Sequence, residues 1–330
     1  MKGKTVSIEE ISEVKPLVKS VTPSEKFSHP QITADGEPRA SVEFQALKTL
    51  WFNTGTLCNI ACDNCYIEST QTNDRLSYLT VNEVNSFLDE ICTDRLATEE
   101  IGITGGEPFM NPDIVGIMQE CLSRGFRLLV LTNAMRPMMR PRIQAALLDL
   151  HKRFGEQLTL RVSVDHFNSK LHEQKRGANT WQPMLTGLKW LTLNGLHIDI
   201  AGRTCWGESE AQLRQGFADL FARQGIPVDA YDKKRLMLFP EMDITAQVPE
   251  ITEACWDILD TSPEDLMCAT ARMVVKHKGA AAPSVMACTL LAYDERFDLG
   301  SSLAAADTAV PLNHPHCAKF CVLGGGACSA

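Results

Sequence analysis

No run of apolar residues in this 330-residue sequence approaches the roughly 18 needed to cross a bilayer as a helix. The opening stretch, MKGKTVSIEEISEVKP, lacks the apolar core of a secretory signal. A cytoplasmic protein with no membrane partner is therefore expected. Positive charge is also scarce, because the formal net charge is −9. Neutralising a phosphate backbone needs clustered Lys and Arg. The densest basic run, Lys233, Lys234 and Arg235, reads as a solvated loop, so no nucleic-acid partner is expected. Internal repeats and low-complexity tracts are absent too. The remaining composition, 44% hydrophobic and 22% charged, is that of an ordinary globular chain. Its length allows one large domain plus a small one, with a sizeable core.

Cysteine is what the sequence has in excess, with 12 in all. Cys58, Cys62 and Cys65 stand close together, and Cys268, Cys288, Cys317, Cys321 and Cys328 crowd the final segment. Cys92, Cys121, Cys205 and Cys255 lie along apolar segments, where buried cysteines are usual. A reducing cytosol argues against a disulfide framework, which leaves metal or redox use.

Residues 1–45 have no sustained helical or strand period and carry Pro16, Pro23, Pro30 and Pro38. They read as an extended, partly disordered arm. Residues 46–245 alternate short apolar runs with helical segments. Strands are expected at 47–53, 100–104, 127–131, 158–164, 197–201 and 236–239. Helices are expected from Thr80, where Glu83 completes a capping box, and over 112–124, 141–154, 181–194 and 208–223. This alternation predicts an α/β fold with a parallel sheet, a partial (β/α)6 barrel open on one side, with function at the C-terminal strand ends. Residues 246–330 lack helical period and are dense in cysteine, as a small domain needing a metal staple would be.

The first cysteine group, Cys58-Asn-Ile-Ala-Cys62-Asp-Asn-Cys65-Tyr66, follows the first strand directly. Given the cysteine content, chance would produce this spacing about 0.016 times in such a chain. Thiolates are the usual protein ligands of iron–sulfur clusters, and three ligands leave one iron of a four-iron cube open. Zinc would want a fourth nearby Cys or His, and none stands within twenty residues.

At these residues the chain resembles the radical S-adenosylmethionine (radical SAM) superfamily. Gly102-Ile-Thr-Gly105-Gly106-Glu107-Pro108, ending the second strand, is similar to that family's GGEP motif. Glycines permit close backbone approach, and carbonyls with Glu107 can accept from a methionyl ammonium. The resemblance also implies cofactor contacts at Asn133 (after Thr132), at Ser163 within Arg161-Val-Ser163-Val-Asp165, and at Arg176, whose fork suits a carboxylate. The plain alternatives are a strand-end polar residue for Ser163 and an exposed loop arginine for Arg176. His166 is either an acid or base at the pocket mouth or an ordinary loop histidine. The family's aromatic residue before the third cysteine is replaced here by Asn64, with Tyr66 just after.

The tail resembles the SPASM/twitch class of auxiliary-cluster extensions. Five cysteines are too few for two fully ligated cubes, so one auxiliary cluster on Cys268, Cys288, Cys317 and Cys321 is expected, with Cys328 in reserve. A zinc site joining His314 or His316 to Cys317 and Cys321 is the alternative.

The resemblance implies a 4Fe–4S cluster with an open iron, S-adenosylmethionine, and a flavodoxin- or ferredoxin-type reductant. The implied reaction is hydrogen abstraction from a C–H bond of a small molecule or short peptide, with an oxidoreductase-type outcome. Two rivals are a maturase acting on a ribosomal peptide and an iron–sulfur sensor or electron carrier. Against the first, the 45-residue arm is short for a peptide-binding module. Against the second, a carrier has no use for the GGEP-like element.

Overall fold

The structure is a computed structural model and describes residues 25–241 and 247–325. The expectation of disorder at 1–24 and the candidate ligand Cys328 lie outside the described residues.

Six parallel strands form the barrel wall, in the order β7-β6-β5-β4-β3-β2. They are β2 (Thr49–Asn53), β3 (Glu100–Thr104), β4 (Arg127–Thr132), β5 (Leu158–Asp165), β6 (His197–Arg203) and β7 (Leu236–Phe239); β1 (Ser41–Val42) lies outside this wall. The helices between them are α1 (Val81–Asp94), α2 (Ile114–Ser123), α3 (Pro141–Phe154), α4 (Ser169–Arg176), α5 (Trp181–Leu193) and α6 (Glu210–Gln224). The expected α/β architecture is present, with every expected strand and helix in place. Thr80 and Glu83 make the reciprocal capping box at α1, and Val84, Phe87, Leu88 and Ile91 bury its core-facing stripe. Ser209 and Gln212 cap α6 in the same way.

α4 is an addition to the expected helices. Its sequence, SKLHEQKR, buries only His172 and has no apolar period to read. The side chain of Asn168 starts it by accepting from the backbone N–H of Lys170 and Leu171.

The tail does not stand apart from the barrel. α7 (Cys255–Leu259) is followed by β8 (Ala271–Val275), which joins the open edge of β2 in parallel from Thr49↔Ala271 to Phe52↔Val274. β9 (Ser284–Met286) pairs antiparallel outside it. The sheet therefore has eight strands and crosses the expected boundary at 245/246. Ala-Arg-Met-Val-Val is buried throughout. A strand covered on both faces shows no alternation, which is why it left no periodic trace.

Residues 25–45 are clamped to the tail. β1 pairs antiparallel with β10 (Val310–Pro311), and Phe27, Ala40 and Val42 pack against Ile251, Leu266 and Leu312. Arg39 is buried there, paired with Glu250 and donating to the Leu312 carbonyl. Among the described residues, no helix is long and apolar enough to cross a membrane.

Candidate functional site

The triad loop leaves β2 at the C-terminal end of the sheet. Cys58 is anchored by its backbone N–H to the Thr70 carbonyl at 2.9 Å. Cys65 Sγ accepts from the Ser69 backbone N–H at 3.4 Å. Cys58, Cys62 and Cys65 line one cavity of about 110 Å³, together with Gly105, Gly106, Asn133, Ser163 and Arg176. Five elements thus bring eight of the sequence-derived candidates to one chamber. Burial pushes the Cys58 thiol up to about 12, aided by Glu107, and raises Cys62 as well. Such thiols release their protons to solvent when a metal cation binds, so ligation and deprotonation go together.

The glycines also serve the cysteine loop itself. A Cβ on Gly106 would sit 2.3 Å from the Leu57 carbonyl oxygen, and one on Gly105 2.6 Å from that of Gly55. Their close approach is to the backbone of the triad loop. Gly106 N–H donates to Gly55 O at 2.8 Å, and Glu107 N–H to Leu57 O at 3.1 Å. The GGEP-like element is therefore the clamp that fixes the cysteine loop.

Glu107 is buried and absent from the residues lining that cavity. Its carboxylate accepts from Thr132 Oγ1 and from Asn133 N–H, both at 2.9 Å, and from Phe109 N–H at 3.2 Å. It ties the end of β3 to the end of β4. Burial raises its carboxyl to about 7. Pro108 starts the short turn Pro108–Met110 behind it. Asn133 Nδ2 donates to Asn59 Oδ1 at 2.9 Å and lies 3.9 Å from Cys58 Sγ.

Arg176 is not an exposed loop arginine. It ends α4, with a side chain 13% exposed, and donates to Asp165 Oδ1 at 2.9 Å. Burial alone would raise the Asp165 carboxyl; Arg176 and Arg203 outweigh it and hold the group below the usual carboxylate range. Asp165 itself has φ of +36°, an uncommon conformation for a residue with a side chain. His166 lines none of the cavities described here. Its Nε2 pairs with Glu208 at 3.1 Å, and its Nδ1 accepts from Asn168 N–H at 2.9 Å.

A second cavity, of about 130 Å³, continues into the barrel. It shares Tyr66, Leu131, Ser163, Arg176 and Arg203 with the first. Tyr66, the aromatic residue after the third cysteine, donates or accepts at Thr104 Oγ1 at 2.7 Å. Asn64 faces outward to Glu241. Arg161, Asp165 and Arg203 also line this space and were not singled out from sequence as ligand-binding groups. The available signal was alternation. On β5, Arg161, Ser163 and Asp165 face inward, while Leu160, Val162 and Val164 pack behind.

In the tail, Cys268, Cys288, Cys317 and Cys321 line a third, apolar cavity with Leu266, Ala287 and Phe297. Cys317 and Cys321 come from one wide π-helical turn, Cys317–Val322. Neither His314 nor His316 lines it; His314 Nδ1 accepts from His316 N–H at 3.1 Å, and its ring packs edge-on against Phe297. The third cavity shares Leu290 with the second. None of the described cysteines forms a disulfide. Of the scattered ones, Cys121 is buried as expected, whereas Cys92 is exposed on α1. Among the described residues, no three His, Cys, Asp or Glu side chains converge tightly enough for a single metal ion. The cysteines surround spaces instead.

Residues 52–204 match the family model described as the radical SAM superfamily. Two curated relatives are similar over parts of the chain. The antilisterial bacteriocin subtilosin biosynthesis protein AlbA of Bacillus subtilis (strain 168) is 27% identical over 44% of this chain and 30% of its own length. The S-adenosylmethionine-dependent nucleotide dehydratase of Selenomonas ruminantium is 30% identical over 39% of this chain and 43% of its own. The chain thus spans less than half of either relative. Among solved structures, Streptococcus suis SuiB bound to S-adenosylmethionine has the same fold, with a TM-score of 0.56 and 13% identity over 78% of this chain and 63% of that one. SuiB bound to the precursor peptide SuiA aligns with a TM-score of 0.53 and 14% identity over 77% and 62%.

Proposed function

We propose that this chain is a radical SAM enzyme, since residues 52–204 match that superfamily's model, and that it is of oxidoreductase type, acting on a C–H bond of a short peptide or small molecule held in the second cavity. Cys58, Cys62 and Cys65 would hold a 4Fe–4S cluster, which with one electron from a reductant would supply reductive cleavage of S-adenosylmethionine to methionine and a hydrogen-abstracting 5′-deoxyadenosyl radical.

The chain's own residues bind and orient. Three thiols leave one cluster position for the cofactor. Gly105 and Gly106 line the cavity and offer backbone carbonyls to an ammonium. Arg176, fixed by Asp165, presents its fork to a carboxylate. Ser163 and Asn133 offer a hydroxyl and an amide to the remaining polar groups. Glu107 holds the β3 and β4 ends in register from behind. Tyr66 and Leu131 form the partition through which the two chambers communicate. Enclosure by Phe239, Phe320 and Leu290 excludes water from the substrate side.

Cys268, Cys288, Cys317 and Cys321 are the ligands of an auxiliary cluster beyond that space, and residues 247–325 are the functional unit that carries it. Electrons come from a flavodoxin- or ferredoxin-type donor. The observation that carries this reading is the row of three adjoining cavities, cysteines at both ends and a ligand-sized chamber between. An electron carrier needs no such chamber. The names of AlbA and of the SuiA complex favour a peptide substrate; the nucleotide dehydratase keeps a small molecule in view.

The test is incubation of reconstituted, dithionite-reduced protein with S-adenosylmethionine. Formation of 5′-deoxyadenosine and methionine is expected. Stable redox cycling without cleavage would identify a carrier instead.

A further inference from the structure

The second cavity has a charge pattern that the cofactor does not use up. Three guanidinium groups line it, Arg161, Arg176 and Arg203, against one carboxylate, Asp165. Asp165 gives Oδ1 to Arg176 at 2.9 Å, and its Oδ2 lies 3.5 Å from Arg203 Nε. The other partner of Arg203, Glu241, is 3.7 Å from Nη1 and also accepts from Lys175. These distances are ion-pair contacts, and Arg203 Nη1 is buried without a hydrogen bond. Arg161 stands 3.6 Å from Asp199, which already accepts from Arg235 at 2.8 Å. Arg203, a buried cation with one nitrogen outside any hydrogen bond, favours an anionic ligand. The facing wall is apolar. Phe239 stacks on Phe320 with centroids 5.8 Å apart and planes 20° apart, beside Leu131 and Leu290.

We propose that Arg203, assisted by Arg161, binds a carboxylate of the substrate, with an apolar portion of the same substrate against Phe239 and Phe320. This rests on the proposed function, since it assigns the second cavity to substrate. The lining groups sum to a charge of +2, three arginines less one aspartate. With the cofactor's carboxylate at Arg176, one positive charge remains. A monocarboxylate matches it, such as an acidic side chain or the C-terminus of a short peptide. A phosphate dianion would leave buried negative charge uncompensated.

The experiment titrates reconstituted holoenzyme, with S-adenosylmethionine present, by calorimetry. The probes are N-acetyl-phenylalanine, its neutral amide, and inorganic phosphate. The acid is expected to bind at least about tenfold tighter than the amide, as one charge-assisted contact provides. Arg203→Gln should bring that ratio to within about twofold, and Arg203→Lys should restore part of it. A general packing role for Arg203 would weaken both probes together and leave the ratio alone. Equal binding of acid and amide, tighter binding of phosphate, or an unchanged ratio in Arg203→Gln each overturn the proposal. Loss of S-adenosylmethionine binding in Arg203→Gln with the ratio intact overturns it too, and moves Arg203 to the cofactor. Failure of the unaltered protein to bind S-adenosylmethionine would instead sink the proposed function.

Discussion

Around Cys58, Cys62 and Cys65 the walls are polar, with Thr104, Asn133, Ser163, Arg176 and Arg203 facing the space. Around Cys268, Cys288, Cys317 and Cys321 they are hydrocarbon, and Thr289 is the exception. Both groups present thiols, and burial raises them in both places, Cys58 and Cys317 to about 12 and Cys268 to about 11. The difference lies in what else can enter. On the proposed reading, three cysteines in a polar chamber would leave room for a charged ligand beside a cluster, whereas four in an apolar chamber would give each iron of a cube its own thiolate and leave no open position.

The largest effect expected from breaking this contrast is at the triad. Reconstituted protein should hold about eight irons as two cubes. Replacing Cys58, Cys62 and Cys65 together by Ala should abolish S-adenosylmethionine cleavage and keep about half of the iron. Iron analysis showing complete loss would mean there is no separate second site.

Next comes Cys288→Ala. Product formation should fail while cleavage of S-adenosylmethionine without substrate survives, because the triad chamber is untouched. If the four cysteines hold a cluster, metal binding is also folding energy for the tail, and hydrogen exchange should rise together over residues 284–325. β8 should stay protected by its pairing with β2. An unchanged exchange pattern would contradict the four-ligand assignment and turn attention to Cys328.

A smaller and one-sided change is expected from Gly106→Ala. The new Cβ meets the Leu57 carbonyl oxygen at 2.3 Å, so the clamp on the cysteine loop must open. Overpacking of this kind costs about 1–3 kcal/mol. Iron should be lost from the triad and kept in the tail, as separate spectroscopic signals would show. Air exposure of the unaltered protein should bleach the triad cluster faster than the tail cluster, since the polar chamber admits solvent.

The mildest effect concerns pH. Burial lowers the pKa of His172 in the barrel, and of His314 in the tail to about 4. The folded groups then refuse protons that the unfolded chain accepts from about 6.5 downward. Stability is therefore lost as pH falls below that value. Region-resolved hydrogen exchange at pH 7 and 5.5 should show both regions weakening, with a response in the tail that includes the His314 share.

Sequence made the barrel legible because its strands and helices keep their periods and caps. Thr80 with Glu83 is an example that the structure reproduces as a reciprocal pair. The cysteine groups were legible by spacing and type alone. α4 was not, because a polar helix with one buried residue has no stripe, and so Arg176 looked like a loop residue. β8 was hidden for the opposite reason, being buried on both faces. The clamp role of Gly105 and Gly106 depends on a backbone 50 residues earlier in the chain, Gly55 with its partner Gly105, which no local pattern reports. Arg203 sits two residues beyond the expected end of β6, and only the fold turns it toward Asp165.

The contrast between an open and a closed cysteine chamber is tested most directly by electron paramagnetic resonance of the reduced protein, with and without S-adenosylmethionine. The cofactor should shift the signal of the triad cluster and leave the tail signal unchanged, and the triple Ala variant should show no response at all. A shift in the triple variant would place the open iron in the tail and contradict the account.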